Sequence, residues 1–177
     1  MLYNTPFRQV VTGDLDGTIT VWGVEVGEAV FSFSDTHEGS NLSAMAFDNS
    51  QRRLLTAARD GSIKLWNFNS GQCLEAFGGF GDAEVSCLHY LQDGPNSYIA
   101  AGGWHNEVKM WVDGDEVDRP HHKMVGHQDD ILAMEFCAPS LATGAYDGSV
   151  ILWKVRRCCQ PPPPPPPASA KLPSRTL

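Results

Sequence analysis

Two residue pairs in this 177-residue chain have the types that acid–base chemistry uses: His37 with Asp60, and His127 with Asp147. Thr143 adds a hydroxyl to the second pair and completes the outline of a hydrolase triad, with nucleophile, base and orienting carboxylate. An enzyme needs one such set, whereas here the set recurs in a longer pattern. The repetition favours a structural role, in which imidazole and hydroxyl groups satisfy an Asp that would be costly to bury alone beside a tight turn. Two further clusters carry less. His121, His122 and His127 fit no usual zinc spacing, and Cys158-Cys159 lie far off in sequence. Asp113-Gly114-Asp115-Glu116 has the look of half a calcium loop, but Val117 takes the third ligand position and no Gly or terminal Glu follows in register. No catalytic residue, metal or cofactor is expected.

The elements that would position these residues repeat. Asp16-Gly17-Thr18-Ile19-Thr20-Val21-Trp22 is nearly matched by Asp60-Gly61-Ser62-Ile63-Lys64-Leu65-Trp66 and by Asp147-Gly148-Ser149-Val150-Ile151-Leu152-Trp153. A worn copy, His105-Asn106-Glu107-Val108-Lys109-Met110-Trp111, lies between the last two. The tryptophans stand 44, 45 and 42 residues apart. Asp-Gly makes the turn, since Gly accepts φ > 0 and Asp bonds its own backbone. The alternation of β-branched and polar residues then makes a strand. One four-stranded propeller blade per period accounts for the spacing.

Strands are predicted at 8–12, 18–22 and 29–33, so the first blade starts part-way, without an inner strand. The second blade takes 42–47, 54–58, 63–66 and 73–77. The third takes 85–90, 98–101, 108–112 and a weak 123–125. The last takes 131–136, 140–143 and 150–153, with no fourth strand. The expected fold is therefore all-β: a partial, open propeller of about four blades, the outer two incomplete, over residues 1–155. Residues 156–177 are expected to be a disordered Pro-rich tail. Its run Pro161–Pro167 has no N–H to give a sheet and suits a polyproline II rod, a spacer or a ligand for aromatic grooves.

Charge and composition narrow the partners. All 21 acidic residues precede Trp153 with 8 of the 13 basic ones, a net −13, while the remainder carries +5. An acidic body argues against a nonspecific grip on nucleic acid. No apolar run approaches a membrane span and the first residues make no signal peptide. Five cysteines without a CxxC fit reduced thiols in a cytoplasmic setting.

With these motifs the chain resembles the WD-repeat β-propeller family over residues 8 to about 155. The resemblance implies a hydrogen-bonded tetrad of His, Ser/Thr, Asp and Trp in each blade. The second blade offers His37, Thr56, Asp60 and Trp66, and the last offers His127, Thr143, Asp147 and Trp153. The first offers Thr12, Asp16 and Trp22. The third keeps only Trp111, with Asp82, Ala101 and His105 at the other places. Residues 52–61 and 66–74 are also similar to the large cilium-associated proteins called WD-repeat-containing protein forty-nine and sixty-four. That narrower likeness implies a cytoplasmic place in a cilium or axoneme. Trp153-Lys154-Val155-Arg156 is similar to the Trp-Asp-x-Arg box of ubiquitin-ligase substrate receptors, except that Lys154 replaces its Asp.

A propeller presents turns on flat faces where function is grafted. The residue before each Asp-Gly turn, Leu15, Arg59, Trp104 and Tyr146, is expected on one rim, beside Asn41, Glu84 and Asp130 at the inner strands. Trp, Tyr and Arg are the types that dominate binding hot spots. The leading expectation is a non-enzymatic scaffold that binds other proteins. The alternative is a truncated or alternatively terminated product of a larger WD-repeat protein, with little independent function and self-association through open blade edges.

Overall fold

The computed structural model describes residues 1–78, 80–115 and 117–155. All regular structure among them is strand, arranged as four antiparallel sheets. The first sheet holds β1 (Leu2–Asn4), β2 (Gln9–Gly13), β3 (Ile19–Gly23) and β4 (Ala29–Phe33). The second holds β5 (Leu42–Phe47), β6 (Arg53–Ala58), β7 (Ile63–Asn67) and β8 (Gln72–Phe77). The third holds β9 (Val85–Asp93), β10 (Asn96–Gly103), β11 (Glu107–Val112) and β12 (His122–Val125). The fourth holds β13 (Ile131–Cys137), β14 (Ser140–Ala145) and β15 (Val150–Lys154). Strand order within each sheet follows chain order, as a propeller blade requires. The proline-rich tail lies outside the described residues.

One expectation is corrected. The first blade is not missing its inner strand: β1 supplies it, pairing Leu2 to Val11, Tyr3 to Val10 and Asn4 to Gln9. Three residues make a weak strand by themselves. The fully buried Asn4 holds it, donating from Nδ2 to the Gln51 carbonyl at 2.8 Å, while the Thr5 amide donates to Gln51 Oε1 at 2.7 Å. Only the last blade has three strands among the described residues.

The core lies between sheets, not within one. Alternation sends the two faces of the second and third sheets to two different neighbours. Val11, Ile19 and Val21 of the first sheet pack on Leu54, Trp66 and Phe68 of the second. Leu55, Ile63 and Leu65 of the second pack on Val85, Ile99 and Trp111 of the third. Val108 and Met110 of the third pack on Ile131, Leu141 and Val155 of the fourth. Each fully buried aliphatic side chain contributes about 1.5–3 kcal/mol.

A polar staple crosses the middle joint on the side away from the Asp-Gly turns. Arg53 forks onto Asp113, NH1 to Oδ1 at 3.0 Å and NH2 to Oδ2 at 2.7 Å, and its Nε reaches Asp48 at 3.2 Å. Tyr90 accepts from Arg53 at 2.9 Å and donates to Asp113. The bonds to Asp113 hold the guanidinium protonated more firmly than usual. Burial opposes ionisation of Asp113, but hydrogen bonds from Arg53 and Tyr90 outweigh it and hold the carboxyl below its ordinary range. Asp113, read from sequence as part of an acidic turn, is thus spoken for by a residue 60 positions earlier. Arg53→Leu leaves two mostly buried carboxylates unmatched. It is expected to cost roughly 2–4 kcal/mol in urea unfolding, with Arg53→Lys intermediate because it loses the fork.

Candidate docking face and the relays beneath it

The Asp-Gly turns share one backbone. Gly17, Gly61 and Gly148 have φ of 76°, 82° and 79°, the left-handed region that glycine enters without steric cost. In the worn third copy Asn106 takes that place at φ 55°, a conformation Asn tolerates better than most residues. At Gly61 space decides as well, since a Cβ would sit 1.9 Å from the Gly81 carbonyl oxygen of the next blade.

Beneath two of the turns the tetrad residues line up, with one addition. Trp66 Nε1 donates to Thr56 Oγ1 at 2.7 Å, and Thr56 Oγ1 lies 2.7 Å from His37 Nε2. His37 Nδ1 meets Ser62 Oγ at 2.5 Å, and Ser62 Oγ donates to Asp60 Oδ1 at 2.6 Å. The last blade repeats this: Trp153 to Thr143 at 2.8 Å, Thr143 to His127 at 2.7 Å, and His127 to Ser149 at 2.8 Å. Every group is matched once if the imidazole is neutral with its proton on Nδ1. Trp then donates to Thr, Thr to His, His to Ser and Ser to the carboxylate; the network assigns that tautomer.

The structure corrects the tetrad reading in two respects. The Asp is not buried: Asp60 and Asp147 are exposed, and each caps its own turn through the amide of Ser62 or Ser149. A serine therefore stands between His and Asp, where sequence reasoning placed a direct contact. The buried members are Thr56, Trp66, Thr143, His37 and His127. Burial opposes ionisation of Asp60, but the Ser62 hydroxyl and amide outweigh it, and the Ser149 hydroxyl and amide similarly lower Asp147. Burial is also the main reason that the His37 pKa falls from 6.5 to about 4, with nearby Lys64 adding to the shift. No hydroxyl here is a free nucleophile, since each Thr is shared between Trp and His.

The other blades depart from the relay. In the first, Trp22 donates to Thr12 at 2.8 Å, but Asp14, not Asp16, takes the Thr18 amide at 2.8 Å. In the third, Trp111 donates to the Gly78 carbonyl at 3.1 Å. Buried Lys109 donates to the Phe80 carbonyl at 2.6 Å and lies 4.9 Å from the centre of its ring.

Above the relays lies the rim. The pairing of inner and second strands shifts register at Leu42/Ala44, Gly102/Gly103 and Ile131/Ala133. Beyond each irregularity the residue before the turn donates its amide to the residue before the inner strand. Arg59 bonds Asn41 at 3.0 Å, Trp104 bonds Glu84 at 3.1 Å and Tyr146 bonds Asp130 at 2.8 Å. The backbone is fixed at all three places while the side chains project: Trp104 is 56% exposed and Tyr146 75%. Arg59 spans the joint to Glu84 at 3.4 Å, and Leu15 is exposed at the matching place in the first blade.

A model of the family described as "WD domain, G-beta repeat" matches residues 27–67, 71–112 and 118–154. The chain belongs to the WD40 repeat family. It is 31% identical over 166 residues to the "WD repeat-containing protein on Y chromosome" of Drosophila pseudoobscura pseudoobscura, covering 88% of this chain and 15% of that protein. The protein of the same description in Anopheles gambiae is 30% identical over 167 residues, with 86% and 15% covered. The chain thus spans about a seventh of the length of these curated relatives. Among solved structures it is similar to the computationally designed Ika8 protein, with a TM-score of 0.69 and 29% identity over 88% of this chain and 44% of that one. WD repeat domains generally mediate binding to other proteins.

Three outcomes follow from the WD relays. Folded His37 takes up a proton near pH 4 and unfolded His37 near 6.5. The unfolded state binds the extra proton in between, so stability is full above about 6.5 and falls as pH drops towards 4. His89, lowered by burial, adds in the same direction. His37→Gln is expected to flatten the slope by up to about 1.4 kcal/mol per pH unit, read from urea midpoints. Thr56→Val strands Trp66 Nε1 and His37 Nε2 and is expected to cost roughly 2–4 kcal/mol. Asp147→Ala, at the exposed end of its relay, lowers the melting temperature less than Thr56→Val.

Proposed function

We infer that this chain is a protein-docking scaffold that engages its partner at the rim formed by Arg59, Trp104 and Tyr146 with Asn41, Glu84 and Asp130. The observation that carries this reading is the exposure of two large aromatic side chains on a backbone clamped by amide bonds to the inner strands. Such anchors lose little freedom on binding, which is the usual property of hot-spot residues. The surroundings are acidic: Glu84 and Asp130 accept the Trp104 and Tyr146 amides, Asp129 and Asp147 adjoin Asp130 and Tyr146 in sequence, and Asp60 adjoins Arg59, which Glu84 already engages. A segment that pairs cationic with apolar side chains suits this surface, its cations meeting carboxylates and ring faces. The setting in a cilium or axoneme rests on the narrower resemblance of residues 52–61 and 66–74. A tagged chain expressed in ciliated cells that stays out of the cilium removes that part of the proposal.

Trp104→Ala and Tyr146→Ala test the rim. Each is expected to weaken capture of a basic–apolar peptide selected against the chain by tenfold or more, with unfolding midpoints unchanged. Unchanged capture, or a loss of stability in step with binding, returns these side chains to a packing role.

A further inference from the structure

At each of the three joints a sheet buries a forward face on the backward face of the sheet that follows it. The forward face is marked by the third and fifth residues after the turn Asp, which occupy matched places on the third strand. These are Ile19 and Val21, Ile63 and Leu65, and Val108 and Met110, all within 3% of full burial. In the fourth sheet the same places hold Val150 and Leu152, exposed by 72% and 71%. The backward face is marked by an aromatic on the inner strand, an aliphatic opposite it on the second strand, and the Trp opposite that on the third. Strand register gives Phe47, Leu54 and Trp66; Tyr90, Ile99 and Trp111; and Phe136, Leu141 and Trp153. In the first sheet the same register gives Tyr3, Val10 and Trp22, with Tyr3 51% and Trp22 38% exposed. Both halves of a fourth joint are present in this chain, and among the described residues nothing covers either.

We propose that two copies of this chain join head to tail, the forward face of one copy's fourth sheet on the backward face of the other's first sheet. The joint forms twice about a two-fold axis and closes a ring of eight blades, within the range that propellers adopt. The occupant is argued from the residues. Three joints inside the chain already unite β-branched or aliphatic forward residues with an aromatic–aliphatic–Trp backward set. The two uncovered faces are one of each kind, so they match each other and neither matches itself. This proposal concerns the end faces alone and stands apart from the rim.

The test measures mass for the whole chain by light scattering at micromolar concentration. A particle of twice the 19.3 kDa chain mass is expected, with a melting temperature that rises with concentration. Leu152→Lys and Tyr3→Asp, each at an exposed place, should separately give monomers. Mixed, they should regain a dimer, because one joint then has both native faces; that recovery also shows that both variants fold. A monomeric wild type overturns the proposal. So do open-ended species, or a dimer indifferent to both substitutions, which would come from edge pairing along β15.

Discussion

The burial of sheet faces between neighbouring blades is the interaction on which the rest depends. A four-stranded sheet has too little surface to bury on itself, and an isolated blade would leave both faces wet. The clusters bear this out by position: each of the three cores draws its residues from two successive sheets. Everything polar is arranged around that fact. The Trp of the second, third and fourth blades packs in the joint while its indole N–H turns to a hydroxyl or carbonyl, so the largest apolar group carries its own polar satisfaction. The Arg53 fork does a related task from the opposite side, fixing how far the second and third sheets slide past one another.

The sequence period and the structural unit are out of step by one strand. The family matches open before the outer strand of one blade and close after the third strand of the next: 27–67 covers β4 to β7, 71–112 covers β8 to β11, and 118–154 covers β12 to β15. Each repeat therefore crosses a joint covalently. The loop that crosses also delivers the relay histidine. His37 lies between β4 and β5 and reaches Thr56 and Ser62 of the blade it enters. A single repeat thus carries the outer strand of one blade and three strands of the next, together with the residues that join them.

How much of this could be read beforehand follows from distance along the chain. The turns, the third strands and their tryptophans were legible because Asp-Gly, alternation and Trp fall within seven residues. The inner strand of the first blade was not, because Leu2–Asn4 is too short to show a period. Its one signal was positional: Tyr3 stands where Phe47, Tyr90 and Phe136 stand in the other blades. The relay serine was in plain view as the residue two beyond Asp60 and Asp147, yet nothing local says that imidazole would reach it before the carboxylate. The Arg53 fork on Asp113 was beyond sequence reasoning, since a bond across 60 residues depends on how two sheets are placed.

The same separation leaves the rim side chains free of the demands that the fold places on the backbone beneath them. In the second, third and fourth blades the residue before the turn has its amide committed to the residue before the inner strand, so its backbone is settled by the frame. The side chains answer to no common demand: Leu15, Trp104 and Tyr146 project into solvent, Arg59 reaches Glu84, and the four are chemically unlike each other on similar turns. One step inward the choice closes: Gly61 has no room for a methyl group, and Thr56 is held by two partners at once. A surface can be rewritten residue by residue only where the fold asks nothing of the side chain. On this chain that condition is met at the rim, which in the second and fourth blades lies above relays whose His and Thr are held in hydrogen bonds to Trp and Ser.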